Sequence, residues 1–268
     1  MNRIWHLAAL TFKEGVRARA MFGVMGMALI MFISTIAIVG MYGYDLMKVT
    51  MDLNLSVVAF TGLLLCFFIN INMIAKDIDK KTIYCVLSKP ISRAEYIWGK
   101  YFGTLALIIV AVVMLAMFGA IMVWFIKSIT QTVYFSGFSW QCYIQAVFYE
   151  MAMFLVLNAV IIFYSSFSSS SFLTLIYSLA TYVAGQSIED VIEFFRMTHQ
   201  FTETGKKAFW IGLQYVFPNL SAFDIKVLAS HGFLMTGKHT LLLFCYAIFY
   251  ASLLLILSVI IFKRREIQ

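Results

Sequence analysis

The sequence predicts an all-α integral membrane protein, with six transmembrane helices preceded by an amphipathic helix at the interface. Three observations carry that reading. Of 268 residues, 62% are hydrophobic and 12% charged, whereas soluble domains carry roughly a quarter charged residues. The apolar residues fall in runs long enough to cross about 30 Å of hydrocarbon. Aromatics reach 17% against only two prolines, as expected of uninterrupted helices with aromatic anchors at both interfaces.

Residues 1–19 place Ile4, Ala8, Phe12 and Val16 at four-residue intervals, with Trp5 and Leu7 beside them and the charges elsewhere on the wheel. Such a helix lies in the headgroup plane. Arg3, Lys13, Glu14, Arg17 and Arg19 leave no apolar core for a cleavable signal peptide. The spans are expected at 20–41, 53–74, 101–125, 142–164, 172–188 and 239–262, within one domain over 1–268. Asp45, Lys48 and Asp52 mark the first loop, and a polar connection over 126–141 follows the third span. Ser165, Ser166 and the serines at 168–171 read as a tight turn whose hydroxyls satisfy helix-end backbone groups. Residues 189–238 form an outer loop, with a helix starting near Ser187-Ile188-Glu189-Asp190 and a turn at Pro218-Asn219. About 50 residues exceed what a connection requires.

Basic residues set the orientation. Thirteen fall before the first span, in 75–100 and after the last span; the two short loops on the other side carry only Lys48 and Lys127. The positive-inside rule then places both termini and the 75–100 loop in the cytoplasm, and the balance of charge reflects orientation, not nucleic-acid binding.

That loop is the most distinctive stretch. Lys89-Pro90 interrupts helix, since proline restricts the residue before it and offers no N–H. Ser92-Arg93-Ala94-Glu95 reads as a capping box: the Ser92 hydroxyl accepts from the Glu95 amide, and the Glu95 carboxylate accepts from the Ser92 amide. A short amphipathic helix ends near Leu87 or Ser88, and a new helix starts at Ser92. A structured loop of this kind suits a soluble partner.

Catalytic constellations are absent from the sequence. His6, His199, His231 and His239 have no H-E-x-x-H spacing, and neither G-x-S-x-G nor G-x-x-x-x-G-K-[ST] occurs, so no catalytic, cofactor-binding or metal site is expected. Cys66, Cys85, Cys142 and Cys245 lack C-x-x-C spacing. The methionines clustered at 21–31 and 41–51 read as filler of apolar spans, although thioethers also suit Cu(I). Glu150 is the one carboxylate inside a span and, with Asn158, marks an intramembrane polar site; interhelical hydrogen bonding is the plainer reading for both.

An interfacial helix, six spans and the loop residues Asp77, Asp79, Thr82, Leu87, Pro90, Ser92-Arg93, Tyr96 and Gly99-Lys100 together resemble the permease subunits of type-two ABC exporters. The branch associated with copper-enzyme maturation and gliding motility looks nearest. Phe217-Pro218-Asn219-Leu220-Ser221-Ala222-Phe223-Asp224 is similar to a segment before the last span in that branch. One step departs from the family's glutamate-glycine-threonine pattern: here it reads Asp79-Lys80-Lys81-Thr82.

The resemblance implies that 77–88 is a cytoplasmic coupling helix docking on a separate ABC ATPase subunit. Ile78, Ile83, Tyr84, Val86 and Leu87 would enter an apolar groove, flanked by Lys80, Lys81 and Lys89 for charge pairing, with Pro90 and the Ser92 cap stiffening the loop. It further implies two permeases, the second a copy or a paralogue, and two ATPases that hold ATP and Mg, in a bacterial-type inner membrane. The cargo is expected to be lipid-like, peptide or otherwise amphiphilic. The alternative is a secondary transporter or channel without an ATPase.

Overall fold

A computed structural model describes residues 2–17, 20–41, 46–70, 91–129, 138–168, 170–197 and 217–264. With backbone groups removed from water and no proline inside the apolar runs, each run closes its hydrogen bonds internally as a helix. The helices are α1 (Asn2–Arg17), α2 (Ala20–Met41), α3 (Leu46–Asn70), α4 (Arg93–Ile129), α5 (Trp140–Phe167), α6 (Ser171–Met197), α7 (Lys226–Ser230) and α8 (Gly237–Arg264), with a 3-10 turn at Ser221–Phe223.

Four of them, α3, α4, α5 and α8, are long and apolar enough to cross a membrane; the pair Arg3–Arg17 and Phe22–Ala37, bent by 52°, makes a fifth if it counts as one span. Among the described residues four to five spans therefore stand where the sequence predicts six. The fifth expected span, over 172–188, is not among them: it lies in α6, whose apolar run is diluted by serines, threonines and tyrosines. Helix ends also overrun the expected spans. α3 begins at Leu46 and takes in Lys48 and Asp52, which read as loop, and α6 continues to Met197 through Glu189, Asp190 and Glu193. Hydropathy marks where apolar surroundings end, not where the backbone stops being helical.

α5 is the central post: 78% of its apolar stretch is buried, against 28% for α8. It packs against α3, α4, α6, α7 and α8. α4 runs antiparallel to it, since Thr104 meets Asn158 and Ala116 meets Tyr143. α3 and α8 run alongside α5 in its own direction, as the Gly62–Phe154 and Gln145–Thr240 contacts require. Met31, Met47 and Met51 are buried in this core, as gap-filling thioethers should be.

α1 docks along the first three turns of α4 by one stripe of its surface. Leu7, Ala8, Thr11 and Gly15 are buried, while Val16 is exposed and Ile4 and Phe12 only half-buried. The reason lies in α4. Cβ atoms at Gly99 and Gly103 would fall 2.5 Å from Leu7 Cδ2 and 2.7 Å from the Ala8 carbonyl oxygen, so only glycines admit this close approach. Trp5 and Leu10 remain outward-facing.

The serine turn forms as its composition predicts. Ser165 and Ser166 donate to Ile162 O and Phe163 O, the Ser168 amide donates to Tyr164 O, and the Ser170 hydroxyl caps α6 by accepting from the Phe172 amide. Cys142 is buried and Cys245 exposed, both as free thiols.

The Pro218-Asn219 turn does more than reverse the chain. Asn219 Oδ1 accepts from the Ala222 amide, and Glu189 Oε2 accepts from Ser221 Oγ at 2.6 Å and from Asn219 Nδ2 at 3.2 Å. The Leu220 amide donates to Gly185 O halfway along α6, and the Asn219 amide to the Tyr246 hydroxyl of α8. A Cβ at Gly185 would lie 2.5 Å from Pro218 O. The segment therefore folds into the bundle between α6 and α8, not over it. α7 then ends in a Schellman motif, with Phe233 N–H donating to Leu228 O and Gly232 at φ 77°, a conformation that favours glycine.

Candidate functional site

Of the residues implied to dock the ATPase, Asp77, Ile78, Asp79, Lys80, Lys81, Thr82, Tyr84, Val86, Leu87 and Pro90 lie outside the described residues. Ser92 and Arg93 are described, and they open a joint between three helices. The capping box is present as expected: the Ser92 amide donates to Glu95 Oε2 at 2.7 Å, and the Glu95 amide to Ser92 Oγ at 3.2 Å. The Ser92 amide first, and then its hydroxyl, hold the exposed Glu95 carboxyl below the usual carboxylate range, at the start of α4 ahead of its apolar run.

The following residues of the motif then reach the neighbouring helices. Arg93 Nη1 donates to Phe262 O (2.9 Å) and Lys263 O (3.0 Å), so a cation caps the carbonyl end of α8, where the helix dipole is negative. Its guanidinium also lies over the Phe262 ring, 6.0 Å from the centroid. Tyr96, fully buried, stacks on that same ring. Gly99 receives Leu7 of α1. Lys100, 5% exposed, reaches Glu14 of α1 at 3.6 Å and sits 5.9 Å from the Tyr96 ring centroid. The start of α4 is thus clamped to α8 through Arg93 and Tyr96, and to α1 through Gly99, Lys100 and Gly103.

Sequence reasoning singled out Ser92, Arg93, Tyr96, Gly99 and Lys100 but not their partners. Glu14 and Phe262 carry no local signal, because each is distant in the chain from the residue it meets.

The two intramembrane residues separate. Asn158 is a satisfied link between α4 and α5: its Nδ2 donates to Tyr101 O at 3.2 Å and its Oδ1 accepts from Thr104 Oγ1 at 3.1 Å. Tyr101 adds a hydroxyl bond to Leu155 O. Glu150, 4% exposed, has no hydrogen-bond partner on either oxygen among the described residues. Asn158 and Glu150 are two turns apart on α5 and do not form one site. Among the described residues no group of three or more His, Cys, Asp or Glu side chains is placed to hold a metal ion.

A bundle of long apolar helices with internal polar links defines a multi-pass membrane protein. The family model described as ABC-2 family transporter protein matches residues 28–200, from α2 through α6. The chain belongs to that family and is a permease subunit of an ABC transporter. No curated protein matches it.

Proposed function

We propose that this permease serves an ATP-driven exporter of the type-two class, in the branch associated with copper-enzyme maturation and gliding motility. Stretch 77–88 docks on a separate ATPase subunit that binds ATP and Mg. Two permeases and two ATPases make the transporter, set in a bacterial-type inner membrane with both chain ends and the docking loop in the cytoplasm. Closure of the ATPase pair pushes the loop, and the joint at Ser92 carries that displacement into the spans. α1 stays at the interface, with Trp5 and Leu10 toward lipid.

The observation that carries this reading is the clamp on α4. A loop followed by a free helix would dissipate a push in local bending. Here the first turns of α4 are tied to α8 by a charged cap and to α1 by two glycine contacts and an ion pair. A force on residue 92 therefore moves three helices together.

The test is co-purification. Tyr84→Asp puts a charge into the apolar face of the docking stretch, and the ATPase is expected to be lost from pull-downs while the variant permease inserts normally. Undiminished recovery of the ATPase with that variant would remove 77–88 as the docking element.

A further inference from the structure

On the outside of the bundle α4 and α5 leave an apolar groove between them. Its volume is about 330 Å³, at the lower end of the roughly 300–1,000 Å³ of ligand sites. α4 lines it with Val113, Met117 and Ala120, and α5 with Trp140, Val147 and Met151. The lining shows no polar surface, because the Tyr143 hydroxyl on the same wall is turned inward and donates to Ala116 O at 2.8 Å. The rim residues Met117, Ile144 and Phe148 are exposed.

The groove has a depth and a direction. At 1.5 Å per residue the stretch from Trp140 to Met151 is about 16 Å long, half of a hydrocarbon layer of roughly 30 Å. One membrane leaflet is that deep. On α4 the lining positions Val113, Met117 and Ala120 continue through Trp124 to Lys127 at alternating intervals of four and three residues. Lys127 therefore stands on the same face of α4, beyond the Trp140 end of the groove. Its ammonium lies over the Phe138 ring, 5.1 Å from the centroid. Phe138 meets Trp140 edge-on at 4.9 Å, and Trp140 meets Tyr143 edge-on at 6.3 Å. A row of ring contacts thus ties one cation to the mouth of the groove. Lysine and tryptophan at the mouth, with only apolar lining below, match the boundary between headgroups and hydrocarbon. Among the described residues no carboxylate lies within ion-pair distance of Lys127.

We propose that the α4–α5 groove binds one acyl chain of an anionic membrane phospholipid, with Lys127 holding its phosphate. Charge complementarity selects this occupant. The phosphate accepts a charge-assisted hydrogen bond from the lysine, and the tail runs past Tyr143 toward Met151. A zwitterionic lipid would fill the groove equally well but would bring its own ammonium beside Lys127. A second copy of this chain packed on the same face would bring a further Lys127 there and leave both charges unbalanced. The site rests neither on ATPase docking nor on which leaflet faces the cytoplasm, and its test needs no nucleotide.

The experiment titrates the whole chain in detergent with phosphatidylglycerol or with phosphatidylcholine of the same acyl chains, and counts bound lipid by native mass spectrometry. Wild-type protein is expected to bind phosphatidylglycerol several-fold more tightly. Lys127→Gln brings that affinity down to the one for phosphatidylcholine. Lys238→Gln, at the exposed start of α8 on the same end of the bundle, leaves it unchanged. Ala120→Phe fills the groove and weakens both lipids several-fold. No preference in wild type, or unaltered affinity in Ala120→Phe, would overturn the site. Equal losses in Lys127→Gln and Lys238→Gln would overturn it too, and would mark diffuse attraction of anionic lipid. Dimers that Ala120→Phe dissociates while the lipid count stays the same would make a second copy the occupant in its place. If Ala120→Phe does not insert, wild type is titrated with a short-chain phosphatidylglycerol, and affinity equal to that of the long-chain lipid removes the groove from the site.

Discussion

The Ser92 joint and the α3–α5 seam are both polar constructions in an apolar protein, and they are built in opposite ways. At the joint Arg93, Glu95 and Lys100 each meet a partner on the chain itself. Along the seam Glu150, Asn54 and Thr61 keep oxygens that no described residue satisfies. A buried polar atom left without a partner costs free energy, whereas a satisfied network stiffens what it joins. The joint is therefore expected to lose stability when a group is removed, and the seam is not.

Steric intrusion at the joint should give the largest effect. Gly103→Leu must push aside Thr11 and the Ala8 carbonyl, and overpacking of this kind is expected to cost about 3 kcal/mol in reversible unfolding in mild denaturant. An unaltered midpoint would mean that α1 is not seated on α4. Arg93→Ala comes next, with a loss of about 2 kcal/mol because two charge-assisted bonds to α8 disappear. Thermal unfolding of Arg93→Lys should fall between that variant and wild type, since one ammonium cannot reproduce the planar fork.

The seam supplies the contrast in sign. Glu150→Gln is expected to raise stability by about 1 kcal/mol, because a neutral amide is cheaper to bury than an unpartnered carboxyl. If it destabilises the protein as Arg93→Ala does, the two regions are not opposites. Ser92→Ala should be the mildest change, costing about 1 kcal/mol as an exposed helix cap, read as fraying of the start of α4 in amide exchange. Its partner gives the joint a pH dependence. The folded Glu95 carboxyl is held below its usual range, so its contribution is complete above the ordinary carboxylate pKa and disappears as pH falls through the lowered value.

What the sequence disclosed was local. The capping box spans four residues and the serine turn seven, so spacing alone describes both. Glu150 was visible as an oddity because one carboxylate interrupts an apolar run. Its lack of a partner was not, since that depends on which residues of other helices pack around it. The stripe by which α1 docks on α4 was not legible for the same reason. Ile4, Ala8, Phe12 and Val16 make a valid apolar face, but Gly99 and Gly103 on another helix decide that Leu7, Ala8, Thr11 and Gly15 are the ones covered. Helix ends ran past the spans at Lys48, Asp52 and Glu189 because a helix continues into polar surroundings at little cost.

The length of α4 has a mechanical corollary. At 1.5 Å per residue its 37 residues make a rod about 55 Å long, nearly twice the thickness of a hydrocarbon slab. Pivoted near its middle, such a rod needs to swing by only about 5° for each tip to travel roughly 2 Å, more than the half-ångström slack of a close-packed interior. The geometry of an oar in its rowlock then sets the scale: small strokes at the Arg93 blade reach Ile129 undiminished and reversed in direction.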